Sequence, residues 1–326
     1  MKEIKNIGVF TSGGDSPGMN ACIRAIARTA SYHGIKVTGI MRGLQGLIDA
    51  DFVELPSSAV SNIVQRGGTI LKTARSQVFR TTEGRKKAFE NIQKHQIDAI
   101  VAIGGDGTFK GLSVFNEEHD VISVGVPGTI DNDLYGTDYT IGFDTAINTI
   151  VSAVDKIRDT ASSHDRLFVI EVMGNDSGFL ALHSGIGVGA EAILVPEEKT
   201  RIPKLIKKLK EDLRASKTSS IVIVAEGDDA GGAYEVSMQV QDKLPHFDVK
   251  VSVLGHLQRG GAPTAYDRLL ASRLGSAAVE ALLAGKTSVM TGLINNEVVF
   301  TPYDQTWGVK LKPDPSLIRL AEILSV

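Results

Sequence analysis

One cysteine, one tryptophan and 6% aromatic residues make up this 326-residue chain's small stock of cross-linking and stacking groups. Cys22 alone rules out an internal disulfide and a thiolate zinc cluster, which suits a reducing compartment. Charge of one sign is also scarce. The net charge is -3, so there is no electrostatic case for nucleic acid or an anionic membrane as main partner. No apolar run reaches 18 residues, and Met1–Asn6 enters an apolar strand pattern without a signal-peptide core. The expected location is the cytoplasm. What is present is 42% hydrophobic residues, 22% charged residues and 34 Gly. That is a soluble globular composition, long enough for one large or two ordinary domains.

Apolar strand runs alternate with helical patterns along the whole chain. Strands are expected at 7–11, 35–41, 97–103, 121–126, 167–173, 192–195, 221–225 and 249–254. Helices are expected from the glycines near 18 to about 31, and at 55–64, 81–95, 142–161, 202–214 and 263–283, with another resuming after Gly107. The alternation predicts an α/β fold with mostly parallel sheets. At least six strands end in glycine-rich or polar loops, which is where open α/β sheets bind ligands.

The stretch Ile100-Val-Ala-Ile-Gly-Gly-Asp-Gly-Thr108 is the most informative. A strand that stops in glycines and opens a helix offers backbone N–H groups to an anion. Asp106 is an acid in a place suited to anions, which makes sense if Mg²⁺ sits between it and phosphate oxygens. A plain tight turn is the alternative. Gly13 and Gly18 have P-loop spacing, but Met19 and Asn20 stand where Lys and Ser/Thr are needed. Arg66, Lys72 and Arg75 surround a Gly-Gly turn that either faces phosphate or is simply solvated. Asp131 and Asp133 flank Asn132, as a candidate base pair or as an Asx-rich turn. His256 and Arg259 beside Gly260-Gly261 suit a phosphate monoester, although a lone His is often structural. Together these loops point to phosphoryl transfer between a Mg-nucleotide and a small phosphorylated acceptor.

With the loops assembled, the sequence resembles the bacterial ATP-dependent 6-phosphofructokinases nearly end to end. The resemblance rests on residues 11–20, 66–71, 104–107, 127–133, 141–146, 155–161, 172–174, 224–227 and 255–261. It implies two Rossmann-like three-layer lobes with the active site in the cleft between them. The nucleotide lobe would be 1–142 with about 259–308, and the sugar-phosphate lobe 143–258 with about 309–326. It further implies that Gly14, Arg75, Ser76, Gly105, Asp106, Gly107 and Thr108 hold ATP, with Asp106 on Mg²⁺. Asp131 would be the base on the C1 hydroxyl of fructose 6-phosphate, aided by Thr129 and Arg75. Thr129, Ile130, Met173, Gly174, Asn175 and Glu226 would meet the sugar, and His256, Leu257, Gln258 and Arg259 its phosphate. Arg166 and Lys250 would reach that phosphate from a neighbouring subunit of a homotetramer. Arg24, Arg28, Arg158, Gly189, Glu191 and Lys217 would form an effector site for ADP or phosphoenolpyruvate.

Four positions depart from the family pattern: Leu44 for Tyr, Asn175 for Arg, Lys250 for Arg, and Ala215 for a cation. Lys250 keeps its charge but loses the guanidinium fork. Pyrophosphate-using relatives carry Asp and Lys at the positions of Gly107 and Gly128, so both glycines favour ATP as donor. The rivals are a pyrophosphate-dependent or other-sugar kinase and a catalytically weak regulatory paralogue.

Overall fold

The computed structural model describes residues 3–161, 166–214, 220–245, 248–309 and 311–325. In chain order its strands are β1 (Asn6–Thr11), β2 (Lys36–Ile40), β3 (Phe52–Glu54), β4 (Ala99–Gly104), β5 (Ser123–Pro127), β6 (Arg166–Val172), β7 (Ala192–Leu194), β8 (Ser220–Ala225), β9 (Asp248–Val253), β10 (Val289–Ile294) and β11 (Glu297–Pro302). Its helices are α1 (Met19–Tyr32), α2 (Leu44–Asp49), α3 (Thr82–Lys94), α4 (Asp106–His119), α5 (Phe143–Ala161), α6 (Phe179–Gly187), α7 (Ile202–Arg214), α8 (Ala233–Lys243), α9 (Ala265–Leu283), α10 (Tyr303–Thr306) and α11 (Pro315–Leu324). Among the described residues no helix is long and apolar enough to cross a membrane.

The chain divides into two compact units. The first is Met1–Ile130, Leu134–Thr145 and Arg259–Lys310; the second is Asp131–Asp133, Ala146–Gln258 and Leu311–Val326. In the first unit the described strands form a seven-stranded sheet, β11-β10-β5-β4-β1-β2-β3. The inner pairs are parallel, and β2–β3 and β10–β11 are antiparallel. Every residue of β1 and β4 is buried. Central parallel strands covered on both faces need such continuous apolar runs. Val9, Val101 and Ile103 face one core, shared with Ile26 of α1 and Leu274 of α9. Phe10, Ile100 and Ala102 face the other, shared with Ala88 of α3 and Phe109 of α4. From β1 the chain goes to β2 on one side and to β4 on the other, so the strand order reverses between β1 and β4. That reversal is where open α/β sheets leave a crevice at the strand C-termini.

The second unit has a four-stranded parallel sheet, β7-β8-β6-β9. Leu167, Val169, Val222 and Val224 share one core with Leu205 and Leu209 of α7 and Val236 and Val240 of α8. Ile193 points to the opposite face, where α6 packs so closely that a Cβ at Gly185 would stand 2.6 Å from it.

The region 55–64 is not the helix its apolar spacing predicts. Successive short turns run through it, with N–H groups of Ala59 and Ser61 donating to the carbonyls of Pro56 and Ser58. Asn62 has φ 57, outside helical geometry. Val60 and Ile63 are nevertheless buried, so the apolar period reflects core contact and not helical winding.

Residues 143–145 belong to the first unit although 142 was the expected boundary. The fully buried Asp267 explains this. Its carboxylate accepts from the N–H of Gly142 (2.9 Å) and Thr145 (2.8 Å), and from the Thr145 hydroxyl. Burial pushes the Asp267 pKa up to about 6, against the lowering effect of these hydrogen bonds; nearby Asp144 adds to the rise. The unfolded chain would ionise the same carboxyl near pH ~4. Between those values the folded state holds the proton more tightly, so stability falls as pH rises through the window. The change is worth up to about 3 kcal/mol. Asp267→Asn is expected to remove that slope in urea titrations at pH 4 to 6.5. The same substitution should lower stability at pH 7 by about 1–3 kcal/mol, because an amide NH₂ must face a backbone donor.

Candidate functional site

Three loops of the first unit meet at the sheet reversal. The Ser12 N–H donates to the Ile103 carbonyl (2.9 Å), and the Gly128 N–H to the Gly104 carbonyl (2.9 Å). The loops after β1, β4 and β5 are therefore held side by side. α1 and α4 open from the first two. Their N-cap residues are Gly18 (φ 110) and Gly105, neither of which has a side chain to cap the helix. The N-cap residues of α2, α6 and α10 make no side-chain cap bond either, but several other helices have their first N–H groups met by side chains. Thr81 caps α3, Thr264 caps α9 and Asp314 caps α11. Asp267 takes the first N–H groups of α5, and Glu171 takes that of Ala233 in α8. Leaving a helix N-terminus to an outside acceptor is how a fold prepares for phosphate.

Asp106 is the first residue of α4 and is exposed. Partial desolvation raises its pKa, with Lys110 opposing. A Cβ at Gly107 would meet nothing within 4 Å, so the space beside Asp106 is open. Thr108 is buried, its hydroxyl packed on Gly104. A Cβ at Gly105 would lie 3.8 Å from Thr129, which places the β5 loop beside the α4 N-terminus. Among the described residues no three His, Cys, Asp or Glu side chains gather as a metal site. A single carboxylate facing open space fits Mg²⁺ that arrives with phosphate and keeps its waters.

The 66–76 loop is anchored from α1. The buried Asn20 amide donates to the carbonyls of Arg66 and Gly67 (3.1 Å each) and accepts from the Ile70 N–H (2.8 Å). The Thr11 hydroxyl bonds Thr69 and the Lys72 carbonyl. Asn20, which looked like a failed P-loop position, is thus a structural pin for the loop bearing Arg75. Arg75 is exposed, whereas the Ser76 hydroxyl donates to Gln45 and accepts from the Phe79 N–H. Leu44 opens α2 and lies 3.6 Å from where a Cβ at Gly111 of α4 would stand. Asn20→Ala is expected to cost about 1–3 kcal/mol in urea unfolding, by orphaning three polar groups. It should also raise the KM for ATP more than it lowers kcat.

Arg259 belongs to this unit as well. Its guanidinium lies against Gly14, where any Cβ would collide with it, and donates to the Asp15 carbonyl (3.1 Å). A Cβ at Gly67 would strike the Gly261 carbonyl, so the 66–68 and 259–261 turns touch through bare backbone.

In the second unit, the loops after β6 and β8 lock together. The Asn175 N–H donates to the Glu226 carboxylate (2.6 Å), and Gly227 lies against the Asn175 carbonyl with no room for a Cβ. Asn175 has φ 52, a conformation Asn tolerates better than Arg does. Asp131 is half-buried, and its carbonyl accepts from the Ser177 hydroxyl (3.1 Å). His256 and Leu257 are exposed. Two of the expected ligand residues have buried side chains. Gln258 is fully buried, accepting from the Met173 N–H (3.1 Å) and donating to the Gly255 carbonyl (3.0 Å). Ile130 is fully buried too, so only its backbone can face a ligand.

Arg166 and Lys250 are not near Met173–Asn175 along the sheet. Arg166 opens β6, which ends just before Met173, and Lys250 lies beside Phe168 in the register of β6 and β9. Seven strand residues span roughly 20 Å. Both cations instead bond Asp248, Arg166 at 2.7 Å and Lys250 at 2.6 Å, and this holds the Asp248 carboxyl below its usual range.

Of the effector positions, Arg24 and Arg28 lie four residues apart on α1. Arg158 donates to the carbonyls of Val188 and Gly189 at the end of α6. Glu191 is buried and accepts from the Ile221 N–H. Lys217 and Ala215 lie outside the described residues.

Comparison with known proteins identifies the family. The phosphofructokinase family model matches residues 6–282. The ATP-dependent 6-phosphofructokinase 2 of Bacteroides thetaiotaomicron is 55% identical over 326 residues, all of both chains. The ATP-dependent 6-phosphofructokinase 1 of Thermus thermophilus is 54% identical over 323 residues, 99% of this chain and all of that one. Among solved structures, the phosphofructokinase of Saccharomyces cerevisiae superposes with a TM-score of 0.87 at 34% identity. That match covers 98% of this chain and 46% of the longer yeast chain. Its sequence and its fold matched to these relatives, the chain belongs to the phosphofructokinase family.

Proposed function

We propose that this chain transfers the terminal phosphoryl group of ATP to the C1 hydroxyl of fructose 6-phosphate, giving fructose 1,6-bisphosphate and ADP. The observation that carries the reading is the pair of glycine-capped helix N-termini at the sheet reversal, with Asp106 opening one of them. The full-length likeness to ATP-dependent 6-phosphofructokinases names the substrates.

In this reading Gly14, Arg75, Ser76 and Gly105–Thr108 hold the triphosphate, and Asp106 holds Mg²⁺ with the phosphate oxygens. The bound metal spreads the negative charge that builds on the phosphates. Thr129, Met173, Gly174 and Glu226 orient the sugar, and His256 and Arg259 bind its phosphate. Asp131 takes the C1 hydroxyl proton as the new O–P bond forms and the bond from the γ-phosphorus to the ADP oxygen breaks. Base assistance of this kind is worth roughly 10²–10⁴ in rate. Gly128 supports ATP over pyrophosphate, since a Cβ there would stand 2.8 Å from Ile103 and a long cationic side chain would start inside the core.

The length of β6 supports a reading in which Arg166 and Lys250 reach a sugar phosphate on a second copy. Self-association, as a homotetramer, is therefore part of the proposal. Control by ADP or phosphoenolpyruvate through Arg24, Arg28, Arg158, Gly189, Glu191 and Lys217 is a further part, and a cytoplasmic setting follows from the same reading. The test is fructose 6-phosphate saturation with ATP or pyrophosphate as donor, repeated with each effector. Fructose 1,6-bisphosphate should form with ATP and negligibly with pyrophosphate. Equal rates with both donors, or no product with ATP, would sink the reading.

A further inference from the structure

Gln45 of α2 holds no ligand in the proposed reaction, yet its amide is tied to the loop that presents Arg75. We propose that Gln45 is a positioning residue for phosphoryl transfer. It acts through Ser76 and fixes where the backbone of Arg75 stands. This rests on the kinase reading and deepens it.

The role follows from the hydrogen bonds of Ser76. A serine hydroxyl has one hydrogen to give. Here it goes to the Gln45 carbonyl oxygen at 2.7 Å, and the same hydroxyl accepts from the Phe79 N–H at 3.1 Å. An ionised phosphate oxygen only accepts, so this hydroxyl has no hydrogen left for it. The Ser76 side chain is an anchor, and contact with a nucleotide falls to the backbone there and to Arg75.

The amide at the other end is oriented. Its NH₂ donates to Asp49 at 3.0 Å, one turn further along α2, which leaves the carbonyl oxygen for Ser76. α2 is itself held, because Asn91 of α3 donates to the carbonyls of Leu47 and Ile48 (2.9 Å each).

Arg75 lies between two anchors. Upstream, Asn20 and Thr11 hold the loop as far as Lys72, and the Arg42 N–H donates to the Leu71 carbonyl (2.8 Å). Downstream, Gln45 holds Ser76. Thr73, Ala74 and Arg75 belong to no helix or strand. An exposed arginine goes where its Cα goes, so the downstream anchor sets its aim. The direction of that aim is set by α4. Gly107 and Gly111 share one face of α4, a turn apart. Leu44 and Phe79 lie 3.6 and 3.7 Å from where a Cβ at Gly111 would stand. The start of α2 and the segment from Ser76 to Phe79 therefore flank the bare face of α4 that leads to Asp106. Misplacing a group by about 1 Å near a reacting centre can cost up to about 10²-fold. Loss of one neutral hydrogen bond predicts less.

The test is steady-state kinetics of the full chain, with urea unfolding of each variant. Gln45→Leu keeps most of the side-chain bulk and removes both hydrogen bonds. It should raise the KM for ATP about three- to tenfold, lower kcat less, and leave the KM for fructose 6-phosphate unchanged. Ser76→Ala should do the same. The double variant should be no worse than the worse single, because both break one link. On an Arg75→Ala background, Gln45→Leu should add nothing. If Gln45→Leu unfolds early, Ser76→Ala, which deletes a single oxygen, decides. A lower urea midpoint with an unchanged KM for ATP assigns the bond to the fold alone and overturns the proposal. So does full additivity of Gln45→Leu with Arg75→Ala, or an equal rise in both KM values. A wild-type chain that makes no product from ATP defeats the kinase reading and the proposal with it. Normal wild-type turnover beside an unchanged Gln45→Leu defeats the proposal alone.

Discussion

Asp131→Asn is expected to lower kcat by roughly 10²–10⁴, with little change in the KM for fructose 6-phosphate. The amide matches the carboxylate in size and still accepts hydrogen bonds, but it cannot take a proton from the C1 hydroxyl. Part of what holds the turn is backbone and is kept in the variant: the Asp131 carbonyl receives the Ser177 hydroxyl, and the next residue, Asn132, sits buried at φ 53. Asn is among the few residues at ease there. The acid limb of the kcat profile, set by protonation of the base, should vanish with the substitution. A variant that keeps wild-type kcat and the wild-type acid limb would remove Asp131 from the chemistry.

Gly107→Asp should separate stability from activity. The position is the second residue of α4, and a Cβ there meets nothing within 4 Å. A carboxylate in the first turn of a helix is stabilising by about 0.3–1 kcal/mol. The melting temperature should therefore hold or rise. In the proposed reading the nucleotide should suffer, because the new charge would face the phosphates beside Asp106. Juxtaposed like charges cost several kcal/mol, so kcat/KM with ATP should fall by on the order of 10²–10³. Unchanged kcat/KM with ATP would place the triphosphate elsewhere.

The sheet architecture was legible because its inner strands are buried on both faces and read as unbroken apolar runs ending in glycine. Parts held by tertiary contacts were not. Leu55, Val60 and Ile63 have a helix-like spacing, but they are buried from a series of turns. The β10–β11 hairpin escaped notice although Asn295-Asn296 carries its signature, two residues at positive φ (49 and 66). α8 also escaped, since its apolar positions are diluted by polar ones. At the candidate site, the glycines and acids were singled out by residue type alone. The pins were not. Asn20 and Gln258 are polar residues whose work is visible only once their backbone partners, 46 to 85 residues away in sequence, are known.

The bond from Asp248 to both Arg166 and Lys250 has a consequence for salt. In the proposed reading an arriving phosphate would compete with a tethered carboxylate for the same two cations, so part of its attraction is already spent. Raising ionic strength weakens the tether and the phosphate together. Fructose 6-phosphate affinity should therefore decline less steeply with added salt than a count of its cations implies, and neutralising Asp248 should restore the steeper dependence.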